Sequence, residues 1–155
     1  YGDMKREDIS GQGVSLEEIN SSLDKLDSKK VALIIDSCYS GAVIPGQTKG
    51  THNLFDSEVA ANFLKMATEG RLILTSSAPD EKSLEFNELG GGLFTHFLIE
   101  GLRGNADIIE QDKQITVDEL YEYLTRNVKQ YARERSLDQN PQKAGEMNGV
   151  IIDVK

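Results

Sequence analysis

Residues 31–35 read Val-Ala-Leu-Ile-Ile and run directly into Asp36-Ser37-Cys38-Tyr39-Ser40-Gly41. An unbroken apolar run rich in β-branched residues is the signature of a strand buried on both faces, and such strands belong to parallel sheets covered by helices. Ligands of open α/β sheets sit beyond the carboxyl ends of the strands. The run therefore delivers Cys38, the only cysteine of the chain, to the rim where chemistry would be done.

The rest of the chain alternates helical and strand patterns. Ser15 and Glu18 have the spacing of a capping box, and Leu16, Ile19, Leu23 and Leu26 follow at intervals of three and four, which predicts a helix of about three turns. Residues 56–69 carry Val59, Phe63 and Ala67 on one helical face, with Gly70 placed to end the helix. A short strand is predicted at 71–75, a mostly buried helix at 93–102 through Leu93, Phe94, Phe97, Leu98 and Leu102, and a last strand at 149–154. Thr116 and Glu119 form a second capping box that opens the longest helix, whose stripe is Val117, Leu120, Tyr121, Leu124, Val128 and Tyr131. Asn140-Pro141 breaks the chain, and residues 41–55 and 76–92 read as long loops, a length usually reserved for function.

Strands alternating with helices predict an α/β fold with a mostly parallel sheet flanked by helices. Three strands are visible, and the first is the most hydrophobic. A central strand needs neighbours on both edges, because a buried unpaired amide costs about 1–3 kcal/mol. The expected sheet is therefore completed by strands outside this chain.

Composition narrows the function classes. The 155 residues suffice for one domain or part of one. A net charge of -9 argues against nucleic acid as a partner, since phosphate binding needs a basic surface, and favours a basic peptide. One cysteine excludes an intrachain disulfide and a multi-cysteine zinc site, and it suits a reducing, cytoplasmic setting. No apolar stretch is long enough to span a membrane, and no cofactor is expected.

With the strand, Asp36-Ser-Cys-Tyr-Ser-Gly41 and the two loops in place, the sequence resembles the caspase-like cysteine peptidases, in particular the bacterial metacaspase and orthocaspase branch. Leu74-Thr-Ser-Ser-Ala-Pro79, Gly92-Leu-Phe-Thr-His-Phe-Leu98, Ile115-Thr-Val-Asp-Glu-Leu-Tyr121 and Asn140-Pro-Gln142 add to the likeness. The resemblance implies a three-layer caspase-like fold, of which residues 1–155 supply the C-terminal strands and helices of a single peptidase domain.

It also implies a Cys-His dyad with Cys38 as nucleophile, and small residues at Ser40 and Gly41 that let a substrate backbone approach. The family's base lies in a His-Gly pair, and this chain has none. His52, in the loop after the cysteine, and His96, inside an apolar helix, do not match it. A free thiol has a pKa of about 8.5, so Cys38 alone would be mostly protonated at neutral pH. The histidine is expected from a companion N-terminal segment or chain.

Relatives that cut after aspartate carry Gln-Ala-Cys at the nucleophile and a Ser-Trp-Arg run a few residues after a Ser-Thr-Ala-Pro-like stretch, matched here by Ser76-Ser-Ala-Pro79. The matching positions here are Asp36-Ser37-Cys38 and Ser83-Leu84-Glu85. With Asp36 and Glu85 lining it, the pocket would take arginine or lysine, and the Ser83 backbone would pair with an extended substrate. Lys49, in the polar loop after the cysteine, is a candidate autocleavage site. No metal site is expected, since the helix start Val14-Ser-Leu-Glu-Glu18 lacks the paired aspartate of calcium-dependent relatives, and Pro45 stands where a further acid would be needed. The alternative is a catalytically inactive caspase-like module used for binding or regulation.

Overall fold

The computed structural model describes residues 16–28, 30–37, 70–78, 81–145 and 147–154. Along them run α1 (Leu16–Leu23), β1 (Val31–Ile35), β2 (Arg71–Thr75), β3 (Glu85–Phe86), β4 (Gly91–Gly92), α2 (Leu93–Glu100), β5 (Gln114–Thr116), α3 (Val117–Arg133), β6 (Gln142–Ala144) and β7 (Val150–Asp153). Ser15, the predicted helix at 56–69 and the whole loop at 41–55 lie outside the described residues, as do Cys38, Lys49 and His52.

The main sheet has the order β1-β2-β6. β1 and β2 pair in parallel from Val31 opposite Arg71 to Ile35 opposite Thr75, and β6 lies antiparallel on the far edge of β2. Among the described residues the sheet is mixed, with one parallel and one antiparallel pairing. β6 escapes sequence reading because Gln142-Lys143-Ala144 has neither alternation nor β-branched residues, and only its place beside β2 makes it a strand.

Burial also falls differently from expectation. β2 is the buried strand, with Leu72, Ile73 and Leu74 at 1 % exposure or less. Leu72 and Leu74 enter the core on one face while Ile73 is covered on the other, so β2 is sealed on both sides. β1 alternates half-buried and exposed residues, with Ala32 and Ile34 exposed. It has a partner on one edge, and among the described residues no strand covers the other.

The core is built where α2 and α3 lie on β2: Leu93 and Phe94 from α2, and Val117, Leu120, Tyr123, Leu124, Val128 and Ala132 from α3, surround Leu72 and Leu74. Burying side chains of this size stabilises the fold by about 1.5–3 kcal/mol each. The predicted stripe of α3 is the buried face, except that Tyr121 and Tyr131 are half-buried and Tyr123 joins the core. α2 stops at Glu100 and continues as a wide turn over Gly101–Asn105. Gly101 permits this approach, since a Cβ there would lie 2.9 Å from Leu120 Cδ1.

α1 is shorter than predicted, and Leu26 lies exposed beyond its end. The segment 76–92, read as loop, contains the β3–β4 pair and a 3₁₀ turn at Asn87–Leu89 closed by Gly90 at φ +76. The last predicted strand forms as β7, but it pairs with β5 in a separate two-stranded sheet.

The capping box of α3 is complete: Glu119 N–H donates to Thr116 Oγ1 at 3.2 Å, and Thr116 N–H donates to Glu119 Oε2 at 2.9 Å. Ile109 N–H also donates to Glu119 Oε1 at 3.2 Å, so one buried carboxylate ties the preceding loop to the helix. Burial pushes the Glu119 carboxyl up, but hydrogen bonds from Thr116, Ile109 and Glu110 outweigh it and hold its pKa below the ordinary value. Its contribution is therefore full above an unfolded pKa of about 4.3 and lost as pH falls through the lower folded value. Thermal melts from pH 7 to 3 should show a shallower acid loss of stability in Glu119→Gln than in wild type. Thr116→Ala should cost about 1 kcal/mol at neutral pH, read as a drop of about 2–4 °C in Tm.

Candidate active site

The parallel ladder of β1 and β2 does not stop at the strand ends. Ser76 N–H donates to the Ile35 carbonyl at 2.9 Å, and the Ser76 and Ser77 hydroxyls reach the Ser37 carbonyl at 3.3 and 3.5 Å. Thr75, Ser76 and Ser77 are all fully buried, a polar cluster tolerable only because its groups are hydrogen-bonded. The consequence is a defined exit for the chain from β1, with Asp36 and Ser37 held beside the end of β2.

Asp36 is the meeting point. Ser83 Oγ donates to its Oδ1 at 2.5 Å, and Thr95 Oγ1 donates to its Oδ2 at 2.5 Å. Three parts of the chain, distant in sequence, converge on this carboxylate: the end of β1, the segment entering β3, and the first turn of α2. Gly92 closes the arrangement, because a Cβ there would lie 2.8 Å from Asp36 Oδ2. Asp36 nevertheless remains exposed, and no lysine or arginine among the described residues pairs with it.

Glu85 pairs with Gly92 across the β3–β4 register. Opposed residues of an antiparallel pair share a face. Glu85 thus stands on the face of the hairpin where a Gly92 side chain would meet Asp36, and its own side chain is exposed. Of the residues singled out from sequence, Asp36 and Ser83 are brought into contact, and Glu85 lies two residues beyond Ser83, opposite Gly92. Cys38 follows Asp36 by two residues and lies outside the described residues, as do Lys49 and His52. His96 is half-buried and packs edge-on against Phe97.

The segment 81–84 that carries Ser83 is held by side chains as well as by the backbone, where the Leu93 N–H donates to the Leu84 carbonyl at 2.8 Å. Gln139, fully buried, accepts the Leu84 N–H at 2.8 Å and donates to the Ser76 carbonyl at 2.9 Å and to Ser83 Oγ at 3.5 Å. Glu81 accepts from the Ala78 and Asn140 amides and from the Asn140 side chain. Sequence reading missed Thr95, Gly92, Gln139 and Glu81 as site residues. Their types are ordinary and the partners of Gln139 lie 55 or more residues away, so the one available signal was their place within or beside the stretches that carry the family likeness.

Residues 12–149 match the family model of the caspase domain. The chain belongs to the caspase family. A comparison with curated proteins returned no match. The mixed sheet with its covering helices is a caspase-type α/β fold, and membership in the family supports a cysteine-peptidase type of function. In this caspase domain, no set of three or more His, Cys, Asp or Glu side chains converges as a metal site among the described residues, and no described helix is long and apolar enough to cross a membrane.

Removing the Gln139 side chain takes away the acceptor of the half-buried Leu84 N–H and a donor to the Ser76 carbonyl. Gln139→Ala should therefore cost about 1–3 kcal/mol, measured by denaturant unfolding, and should raise amide exchange at Leu84 more than in the middle of α3.

Proposed function

We propose that this caspase domain belongs to a cysteine endopeptidase that cleaves after arginine or lysine, with Cys38 as nucleophile. The observation that carries this reading is the Asp36 carboxylate, exposed two residues before Cys38 and held by the Ser83 and Thr95 hydroxyls, with no lysine or arginine pairing with it among the described residues. Hydroxyls orient a carboxylate without cancelling its charge. A guanidinium or ammonium side chain is the ligand that such an acid selects, and an aspartate side chain is the one it repels.

In the proposed reaction the Cys38 thiolate attacks the carbonyl carbon of the basic residue and forms a C–S bond, while the carbonyl electron pair moves to oxygen. The backbone N–H of Cys38 would donate to that oxyanion. Collapse breaks the C–N bond, the leaving amine takes its proton from a histidine, and water then hydrolyses the thioester to regenerate the thiol. The histidine would come from outside these 155 residues. That part of the reading is supported by the lack of a His-Gly pair and by the second edge of β1, along which no described strand pairs.

The test is an assay of the full-length protein on short fluorogenic peptides that differ only in ending with Arg, Lys or Asp. Cleavage after Arg or Lys is expected, abolished in Cys38→Ala and reduced at least about tenfold in Asp36→Asn. Cleavage after Asp in preference to the basic residues would overturn the pocket reading, and activity persisting in Cys38→Ala would remove the nucleophile. The same specificity makes Lys49 a substrate of the enzyme itself. Lys49→Ala should abolish the corresponding fragment on a gel of active enzyme, and an unchanged fragment terminus would reject self-cleavage at that position.

A further inference from the structure

We infer that Thr95 is a positioning residue of the basic-residue pocket, setting the Asp36 carboxylate so that it binds arginine in preference to lysine. The inference rests on the reading of Asp36 as the group that recognises the substrate. An ionised carboxylate offers about four acceptor sites, two on each oxygen. Ser83 occupies one site on Oδ1 and Thr95 one on Oδ2, both at 2.5 Å. Neither oxygen is saturated, and the residue stays exposed, so each keeps an acceptor site for a ligand.

Two fixed acceptors on two oxygens of one plane match the two parallel N–H bonds of a guanidinium fork. An ammonium is a point charge and gains little from the second oxygen's orientation. Ser83 alone would leave the carboxylate free to rotate about its own hydrogen bond. Thr95 removes that rotation because its oxygen comes from a different element, and because a β-branched side chain in the first turn of a helix has few positions to choose from. Gly92 completes the device by leaving empty the space that any side chain would take from Oδ2.

A donor that carried charge would have served the geometry equally and spoiled the function. A lysine or arginine in place of Thr95 would compete with the substrate cation for the same acid. The threonine hydroxyl is neutral, and it leaves the full negative charge for the ligand.

The experiment compares wild type, Thr95→Val and Thr95→Ser of the full-length protein on two peptides identical except for a terminal Arg or Lys. Valine keeps the shape and deletes the donor, and serine keeps the donor. In Thr95→Val, KM for the Arg peptide should rise about tenfold with kcat within about twofold, and the Arg-to-Lys ratio of kcat/KM should fall toward one. Thr95→Ser should retain the wild-type ratio. The rate of Cys38 alkylation by iodoacetamide and the melting temperature should be the same in all three. An unchanged ratio in Thr95→Val overturns the inference. So does a loss of kcat, thiol alkylation and melting temperature together, which would make Thr95 a residue of the fold alone. A wild-type enzyme that cleaves neither peptide overturns the underlying specificity reading, and that failure is visible before any variant is measured.

Discussion

Everything described around Asp36 depends on the parallel pairing of β1 with β2 and on its continuation through the Ser76 amide to the Ile35 carbonyl. A parallel pair sends both chains out of the sheet at the same end, which an antiparallel hairpin cannot do. Asp36-Ser37 and Ser76-Ser77 therefore emerge side by side. The register matters as much as the direction, because a slip of one residue would turn every side chain of β1 to its opposite face. β2 holds the register because both its faces are buried, and the core that α2 and α3 build on Leu72 and Leu74 is what keeps it there.

From that anchor the polar part of the site is assembled by side chains in series. Gln139 grips Ser76 and Leu84, Ser83 next to Leu84 reaches Asp36, and Thr95 from α2 reaches the same carboxylate. Buried polar groups are tolerable in such a chain only when each is satisfied, and a fully satisfied network specifies one arrangement.

A second cluster steadies the hairpin from behind. Phe86 of β3 meets Tyr131 of α3 edge-on at 5.2 Å, and the Arg135 guanidinium lies 3.6 Å from the centre of the Tyr131 ring. Tyr131 donates to Glu88, and Arg135 lies within 3.7 Å of the same carboxylate. Stacked and hydrogen-bonded in this way, the end of the longest helix fixes the tip of the β3–β4 pair, so the position of Glu85 relative to Asp36 is tied to packing far from the proposed chemistry.

The elements legible from sequence are those whose information is local. Leu93 to Leu102 and the stripe of α3 announce themselves by period, Thr116 and Glu119 by cap spacing, and Asp36-Ser-Cys-Tyr-Ser-Gly41 by a strand that ends in a small-residue turn. β6 and the β3–β4 pair lack a local signal: Gln142-Lys143-Ala144 is a strand because β2 has an open edge, and Gly91-Gly92 because Glu85-Phe86 lies opposite. β1, the most apolar run, is half-buried to exposed among the described residues while β2 is sealed, since burial is a property of neighbours and not of composition. The sequence by itself determined the residue types, the acid two places before the cysteine, and the family. Only the tertiary structure decided that Ser83, Thr95 and Gly92 close on Asp36 while a buried glutamine holds the segment beside them, because hydrogen bonds between residues dozens of positions apart leave no periodicity along the chain.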